Sequence, residues 1–482
     1  MCMHSADQAS SPAERPASLK PGTIEQCHAV IDTLAAQIAL LQEQVALLQE
    51  RAKLDSRNSS KPPSSDGPGS GNRAQRRASL RKRGAQKGHP GSFRALVDED
   101  RVDIVTDCPA PAACECGGAV AAVGKPLRHQ VFDLPPTVQP EVQEYRLFSG
   151  RCAQCGRIHR AALPPGVPSG QIGPRALAFI GVLGTHYHLT QFKIRDLLAR
   201  MMGVDFSVGA ISQAQGKLAQ ALKAPVAQAA ATLSSASVIH MDETRFPREG
   251  SANWVWAVVQ PKLAVFTILP SRARYVIRNL IGDNPQGVVV SDRYAAYAYV
   301  DVGQRQVCWA HLIRDFTRIA QRPGKAGRIG RRLLGLGYVM FRWRERGLAT
   351  HAQFEPIQRR LRQALQTGAA EQICSRTANT CANLLKLWPA LWGFIDHPGV
   401  EPTNNAAEQA LRTLVLKRKI SGPTRSRRGD EFIARGYSAM ESCRRQGRDL
   451  LDYLHGTVIA WIDKTTPPSL VPAAALRPVP TG

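Results

Sequence analysis

The chain has 482 residues, with 63 Lys and Arg against 38 Asp and Glu, a formal charge of +25. That length exceeds one core of roughly 100 to 200 residues and predicts two to four units, and the clustered positive charge predicts a polyanionic partner. No stretch approaches the ~20 apolar residues of a membrane span, and the opening MCMHSADQASSPAERPAS has no basic segment followed by an apolar one; a cytoplasmic protein without a membrane partner is expected.

From Ile24 the residues Cys27, Ile31, Leu34, Ile38, Leu41, Val45 and Leu48 follow at spacings that alternate three and four. This heptad seam, with Ile or Val at every a position and Leu at three of four d positions, predicts a parallel two-stranded coiled coil over 20–54 and hence a homodimer. Residues 55–95 are rich in Ser, Pro and Gly at first and then turn basic, which reads as a disordered tether. Its basic run holds Arg76, Arg77, Arg81, Lys82, Arg83 and Lys87 and, from 71 to 94, no acid. A second run, 412–428, holds seven basic residues, among them Lys417, Arg418 and Lys419, again without an acid. Both runs suit phosphate backbones.

Of eleven cysteines, five lie between 108 and 155, which excludes a disulfide framework spread over the chain. The Cys152-Ala-Gln-Cys155-Gly spacing lets two thiolates bind one tetrahedral zinc. On the other side Cys114-Glu-Cys116 has only one intervening residue, so Cys108 competes with Cys114 for the fourth place. A structural zinc ribbon over 96–165 is expected, four of the five thiols being ligands. Residues 170–232 read as helices, with a tight turn at Gly203–Ser207 that fits either a helix-turn-helix or an ordinary helical hairpin.

Ser237-Val-Ile-His-Met-Asp242-Glu243 reads as a buried strand ending in a carboxylate. Two more strands, NWVWAVVQ (253–260) and LAVFTILP (263–270), form a hairpin, SRARYVIRNLI is helical, and Gly287–Asp292 is a second apolar strand ending in Asp. Strand ends are where open sheets place ligands. The third carboxylate is Glu408 in EPTNNAAEQALR (401–412), where Thr403 is an N-cap candidate and Asn404, Glu408 and Arg412 share a helix face. Three clustered carboxylates repel unless hard divalent cations neutralise them, and magnesium or manganese prefers such oxygen ligands. Two ions bound there activate an attacking oxygen and stabilise a leaving one, Asp242 bridging both and Arg412 binding a phosphate. Strand alternation turns Glu243 to the opposite face from Asp242.

Taken in order, the zipper, NSSKPPSSDG, Lys87-Gly-His-Pro-Gly, the cysteine ribbon, His240-Met-Asp242-Glu-Thr, Ser291-Asp292-Arg-Tyr-Ala-Ala-Tyr, Cys308-Trp-Ala-His311 and Asn404-Asn405-Ala-Ala-Glu408 resemble the transposases of the insertion sequence 66 family, of the Asp-Asp-Glu class. The resemblance implies a multidomain chain whose α/β ribonuclease H-like catalytic domain (233–435) carries a helical insertion at about 325–395, followed by a helical C-terminal region (436–482). It implies magnesium-dependent cleavage at an element's ends and strand transfer into target DNA, and it leaves room for accessory proteins of the same element. Cys308, His311, Asn404, Asn405 and Arg412 would support the active site. The sequence departs from the family in the Cys108–Cys116 segment and in Arg293, which stands where a small residue is usual and would either crowd the site or add a phosphate contact. Two other readings use the same residues: a DNA-binding regulator without turnover, and a nuclease that cuts but does not join.

Overall fold

The computed structural model describes residues 95–472 except 122, 123, 133, 136 and 373, together with Leu34 and Gln37, both helical and exposed. The rest of the expected zipper, the tether up to residue 94, and Arg76, Arg77, Arg81, Lys82, Arg83 and Lys87 with it, lie outside the described residues. Among the described residues there are thirteen α-helices, one five-stranded mixed sheet and one two-stranded ribbon, and no helix is long and apolar enough to cross a membrane.

Strands β1 (Ser149–Arg151) and β2 (Ile158–Arg160) pair antiparallel around the Cys152–Cys155 turn. There the Cys152 amide donates to the Arg157 carbonyl at 2.8 Å and the Gly156 amide to the Cys152 carbonyl at 3.0 Å, with Gly156 at φ +69°, where glycine meets no steric penalty. A second turn closes at Cys114, whose amide donates to the Gly118 carbonyl at 2.9 Å.

Four helices follow: α1 (Pro174–Thr185), α2 (Gln191–Met202), α3 (Val208–Ala221) and α4 (Lys223–Ser234). The α2–α3 turn falls where sequence placed it. Gly203 ends α2 in the left-handed conformation and the Ser207 hydroxyl accepts from the Ala210 amide to start α3.

The sheet is built from β3 (Val238–Arg245), β4 (Trp254–Gln260), β5 (Leu263–Leu269), β6 (Val288–Ser291) and β7 (Arg305–Val307), in the order β5-β4-β3-β6-β7. β3, β4 and β5 are antiparallel neighbours, whereas β6 runs parallel to β3 and β7 parallel to β6. Helix α5 (Arg274–Ile281) makes the crossover between β5 and β6. The strand that was expected to end at Asp242 continues to Arg245, because the β4 hairpin keeps pairing with it: Asp242 opposes Ala257 and Arg245 opposes Trp254.

Between β7 and the helix bearing Glu408 lie α6 (Trp309–Ala320), α7 (Gly324–Glu345), α8 (His351–Ala369), α9 (Ser375–Lys386) and the short α10 (Gly393–Asp396). Alternation along β6 divides the hydrophobic interior. Val288, Val290 and Val307 face a core with Trp309, Phe316, Phe354 and Trp392 of these helices. Val289, Ile239 and Met241 face the other core, shared with α1–α5 and with α11 (Asn405–Ser421), α12 (Arg427–Gln446) and α13 (Leu450–Ile462).

Helix α12 covers the outer edge of the sheet. The amides of Ala264 and Phe266 on β5 donate to the hydroxyls of Ser442 and Ser438 at 3.1 and 2.8 Å. Edge-strand donors that would otherwise invite another strand are thereby satisfied within the chain.

Candidate active site

Asp242 and Asp292 stand on neighbouring parallel strands. The β3–β6 register pairs His240 with Val290, so Asp242 and Asp292 occupy equivalent places two residues further along, where the polypeptide leaves the apolar interior. Asp292 is fixed by its own turn, since its Oδ1 accepts from the Tyr294 amide at 2.8 Å; Asp242 Oδ1 likewise accepts from the Glu243 amide at 2.9 Å. Burial and the charges of Glu243, Asp292 and Glu408 push the Asp242 carboxyl well above the usual carboxylate range. The three carboxylates thus lie within electrostatic reach of one another.

Asn404, rather than Thr403, stands at the N-cap of α11, and its side chain makes no capping bond. Instead its Nδ2 donates to the Met241 carbonyl at 2.6 Å and its Oδ1 lies 3.2 Å from His240 Nδ1. The Asn404 amide donates to Cys308 Sγ at 3.2 Å. Asn404 therefore ties the start of α11 to β3 beside Asp242 and to the start of α6 together. Arg445 of α12 braces the same end, donating to the carbonyls of Ala406 and Gln260 at 3.1 and 3.0 Å while paired with the fully buried Glu441.

Glu408 is turned toward α6. Its Oε1 lies 3.3 Å from His311 Nδ1 and 3.7 Å from an Arg314 guanidinium nitrogen. The Cys308 thiol points at the same oxygen from 4.0 Å. Cys308, His311 and Glu408 bring their ligand atoms within 4.8 Å of one another, and among the described residues no other group of three Cys, His, Asp or Glu side chains does so. The three acids accordingly converge on one place without closing on a single point.

Burial and Arg314 lower the His311 pKa against the opposing pull of Glu408, and burial and Glu408 push the Cys308 thiol up to about 11. The donor set divides by chemistry: Asp242, Asp292 and Glu408 offer the oxygens that suit magnesium or manganese, and a cation among them would relieve the repulsion that raises Asp242.

The Glu243 side chain is bound by groups other than Asp242, although the two carboxyls remain within electrostatic reach of each other. It is 3% exposed and pairs with Arg272 at 2.6 Å, while the Tyr297 hydroxyl donates to its other oxygen at 3.2 Å. Burial and the nearby Asp292 raise it to about 7 in spite of Arg272. The Arg293 guanidinium is bound to Asp315 at 2.6 Å and to Asn383 at 2.8 Å.

The remaining expected residues are spread along α11 and the ribbon. Asn405, Arg412 and Lys419 are exposed. Arg418 is half-buried and donates to the Arg245 carbonyl, and Lys417 is buried, its ammonium bonded to the Leu189 carbonyl and the Ser421 hydroxyl at 3.2 and 3.1 Å. Loss of hydration lowers Lys417 to about 8. In the ribbon, backbone hydrogen bonds lower the thiol pKa of Cys116 through Gly118 and of Cys152 through Cys155 and Gln154, each thiol also bonded to its partner Cys114 or Cys155. Cys108 is exposed.

Arg272, Arg314 and Tyr297, and Arg305, whose guanidinium donates to the Asp292 carbonyl at 3.4 Å, were not singled out by sequence. For Arg314 a signal existed, since it follows His311 by three residues on α6 and so shares its face.

A family model described as transposase IS66 family matches residues 169–431, more than half of the chain and all of the elements just described from α1 into α12. The chain belongs to this family. Within it, a transposase role and DNA as partner follow from membership. A second model, described as a family of unknown function, matches residues 8–95. The IS66-family chain is also 23% identical over 411 residues to the uncharacterized protein y4hP of Sinorhizobium fredii, a match that covers 76% of this chain and 72% of that one.

Proposed function

We propose that this IS66-family chain is the enzyme that moves its own element: it binds the element's terminal repeats, cuts there, and joins the freed 3′ ends to target DNA with Asp242, Asp292 and Glu408 as catalytic residues. The observation that carries the reading is the convergence of one carboxylate each from β3, the β6 end and α11, with Asn404 clamping the third element to the first. The order β5-β4-β3-β6-β7, with its antiparallel half and its parallel half, is that of a ribonuclease H-like sheet, and the α6–α10 insertion interrupts it before Glu408.

In this reading Asp242, Asp292 and Glu408 hold two magnesium or manganese ions. When bound, such ions activate the attacking oxygen and stabilise the leaving one in an in-line displacement. Glu408 must rotate away from His311 and Arg314 to join the two aspartates. That rotation frees Arg314, whose guanidinium then serves a phosphate beside the acids. Asn404 holds the helix in place while the side chain turns, and Asn405, Arg412 and Lys419 on the exposed side of α11 face DNA.

The N-terminal coil makes the chain a dimer, the tether and its Arg76–Lys87 run follow the DNA backbone, and a zinc ribbon with Cys152 and Cys155 on one side and Cys116 with Cys114 or Cys108 on the other contributes to end recognition. The enzyme works in the cytoplasm on nucleoid DNA, with accessory proteins of the element as further partners.

Incubating the purified chain with magnesium and labelled DNA carrying the element's ends tests this. Joined molecules are the expected product. Nicks that never become joined molecules would make it a nuclease instead.

A further inference from the structure

Cys308 and His311, which the carboxylate chemistry does not use, form a second donor set with Glu408. Cys308 is the N-cap of α6 and His311 lies in that helix's first turn, so the Cys-x-x-His spacing delivers a sulfur and a nitrogen to one side. Glu408 arrives from α11 with an oxygen. The Cys308 amide is held by the Ser291 carbonyl at 2.8 Å and the Trp309 amide by the Pro402 carbonyl at 2.9 Å, which pins the thiol between the β6 end and the approach to α11.

Two features of this set point to a ligand. His311 Nδ1 is buried and has no hydrogen-bond partner, although Glu408 Oε1 lies 3.3 Å away; a buried polar atom left so carries a desolvation cost that a bound ion would remove. Cys308 Sγ receives the Asn404 amide at 3.2 Å and stands 4.0 Å from Glu408 Oε1, so the sulfur is already fixed beside the carboxylate. A set that includes sulfur and imidazole suits zinc-class ions, whereas magnesium takes oxygen ligands.

We infer that Cys308, His311 and Glu408 form a binding site for a thiophilic divalent cation of the zinc class, and that its occupancy holds Glu408 away from Asp242 and Asp292. On binding, the thiol passes its proton to solvent and the sulfur, the imidazole nitrogen and the carboxylate oxygen take the ion; Arg314, 3.7 Å from the same carboxylate, gives it up. The second half of the inference rests on the transposase reading, because only there does Glu408 have another ion to serve. With the ion bound the chain would not cut DNA, and it would become active when the ion leaves.

Cobalt(II) is the probe, titrated into the full, metal-stripped chain and followed by its thiolate charge-transfer absorption and by bound ions per chain. The ribbon thiols contribute equally to every variant, so the differences report this site. The wild type is expected to take one more ion per chain than Cys308→Ser, with a correspondingly stronger band, and His311→Ala and Glu408→Gln to weaken that ion by about tenfold or more. Equal stoichiometry, affinity and spectrum in wild type, Cys308→Ser and His311→Ala would overturn the site. Should Cys308→Ser fail to fold by circular dichroism, the partly exposed His311→Ala decides. Added zinc is then expected to suppress magnesium-driven joining by the wild type. Cobalt bound as expected in a chain that joins no DNA with magnesium would leave the site standing and remove the transposase reading, whereas zinc that binds here without slowing joining would overturn the link to Glu408.

Discussion

Asn404 Nδ2 donates to the main-chain carbonyl of Met241 at 2.6 Å, across 163 residues of sequence. Through this one bond the helix that carries Glu408 is registered against the strand that carries Asp242. Asn404→Ala leaves a buried carbonyl without its partner, at a cost of roughly 1–3 kcal/mol, and lets the start of α11 shift. Denaturant unfolding should show that loss, and DNA joining should fall further than stability alone explains. Unchanged joining by a destabilised Asn404→Ala chain would mean the clamp serves only the fold.

Much of this arrangement was legible because the apolar runs before Asp242 and Asp292 are unbroken and the β4–β5 hairpin has a turn at Pro261–Lys262. Where tertiary contacts outweigh local preference the reading failed. Thr403 has good capping chemistry, yet Asn404 takes the N-cap position and spends its amide on Met241 and His240. Strand β3 outruns Asp242 because its length is set by β4, not by its own apolar residues. Lys417 read as part of a basic run, but the helical period places it three residues from the buried Leu414, so it turns inward. Glu408's present partners, Cys308, His311 and Arg314, lie about a hundred residues away and carry no local signal beyond their own spacing.

The buried carboxyls give the metal-free chain a definite pH response. Asp242 is raised well above its ordinary value and Glu243 to about 7, so each binds its proton more tightly folded than unfolded. Their contribution is fully present below the ordinary carboxylate range and is lost as pH rises through about 7. With a chelator present, the melting temperature should fall between about pH 5 and 7.5, and magnesium or manganese should recover most of the loss at the upper end. Glu243→Gln should flatten the chelated curve. A curve that rises over the same interval would show that the carboxyls are stabilised in ionised form.

Gly287 stands at the entrance to β6, where an added Cβ would run into the carbonyl oxygen of Ala236 and the backbone of Ser237. Since backbone is less free to yield than a side-chain tip, Gly287→Ala should cost roughly 1–3 kcal/mol and push β6 away from β3. Because Asp292 follows β6 directly, joining should drop as well. Full activity with full stability in that variant would mean that the strands approach less closely than they do in this structure.

In the ribbon, each of Cys116→Ser, Cys152→Ser and Cys155→Ser should remove one tightly held zinc ion from the purified chain, measured as metal per chain after gel filtration. Of Cys108→Ser and Cys114→Ser only one should do so, which identifies the fourth ligand. Zinc content that survives Cys152→Ser would rule the ribbon out.

The most direct test compares the wild-type chain with Asp292→Asn on labelled element-end DNA in magnesium, measuring end binding and joined product side by side. Asp292 is held by its own Tyr294 turn, so the substitution should leave the fold and binding intact. The prediction is binding within about twofold of wild type and joining lower by about 1,000-fold or more, since metal-borne stabilisation is worth several kcal/mol at ~1.36 kcal/mol per tenfold. Joined product from Asp292→Asn at the wild-type rate would contradict the assignment of the acids as the catalytic centre.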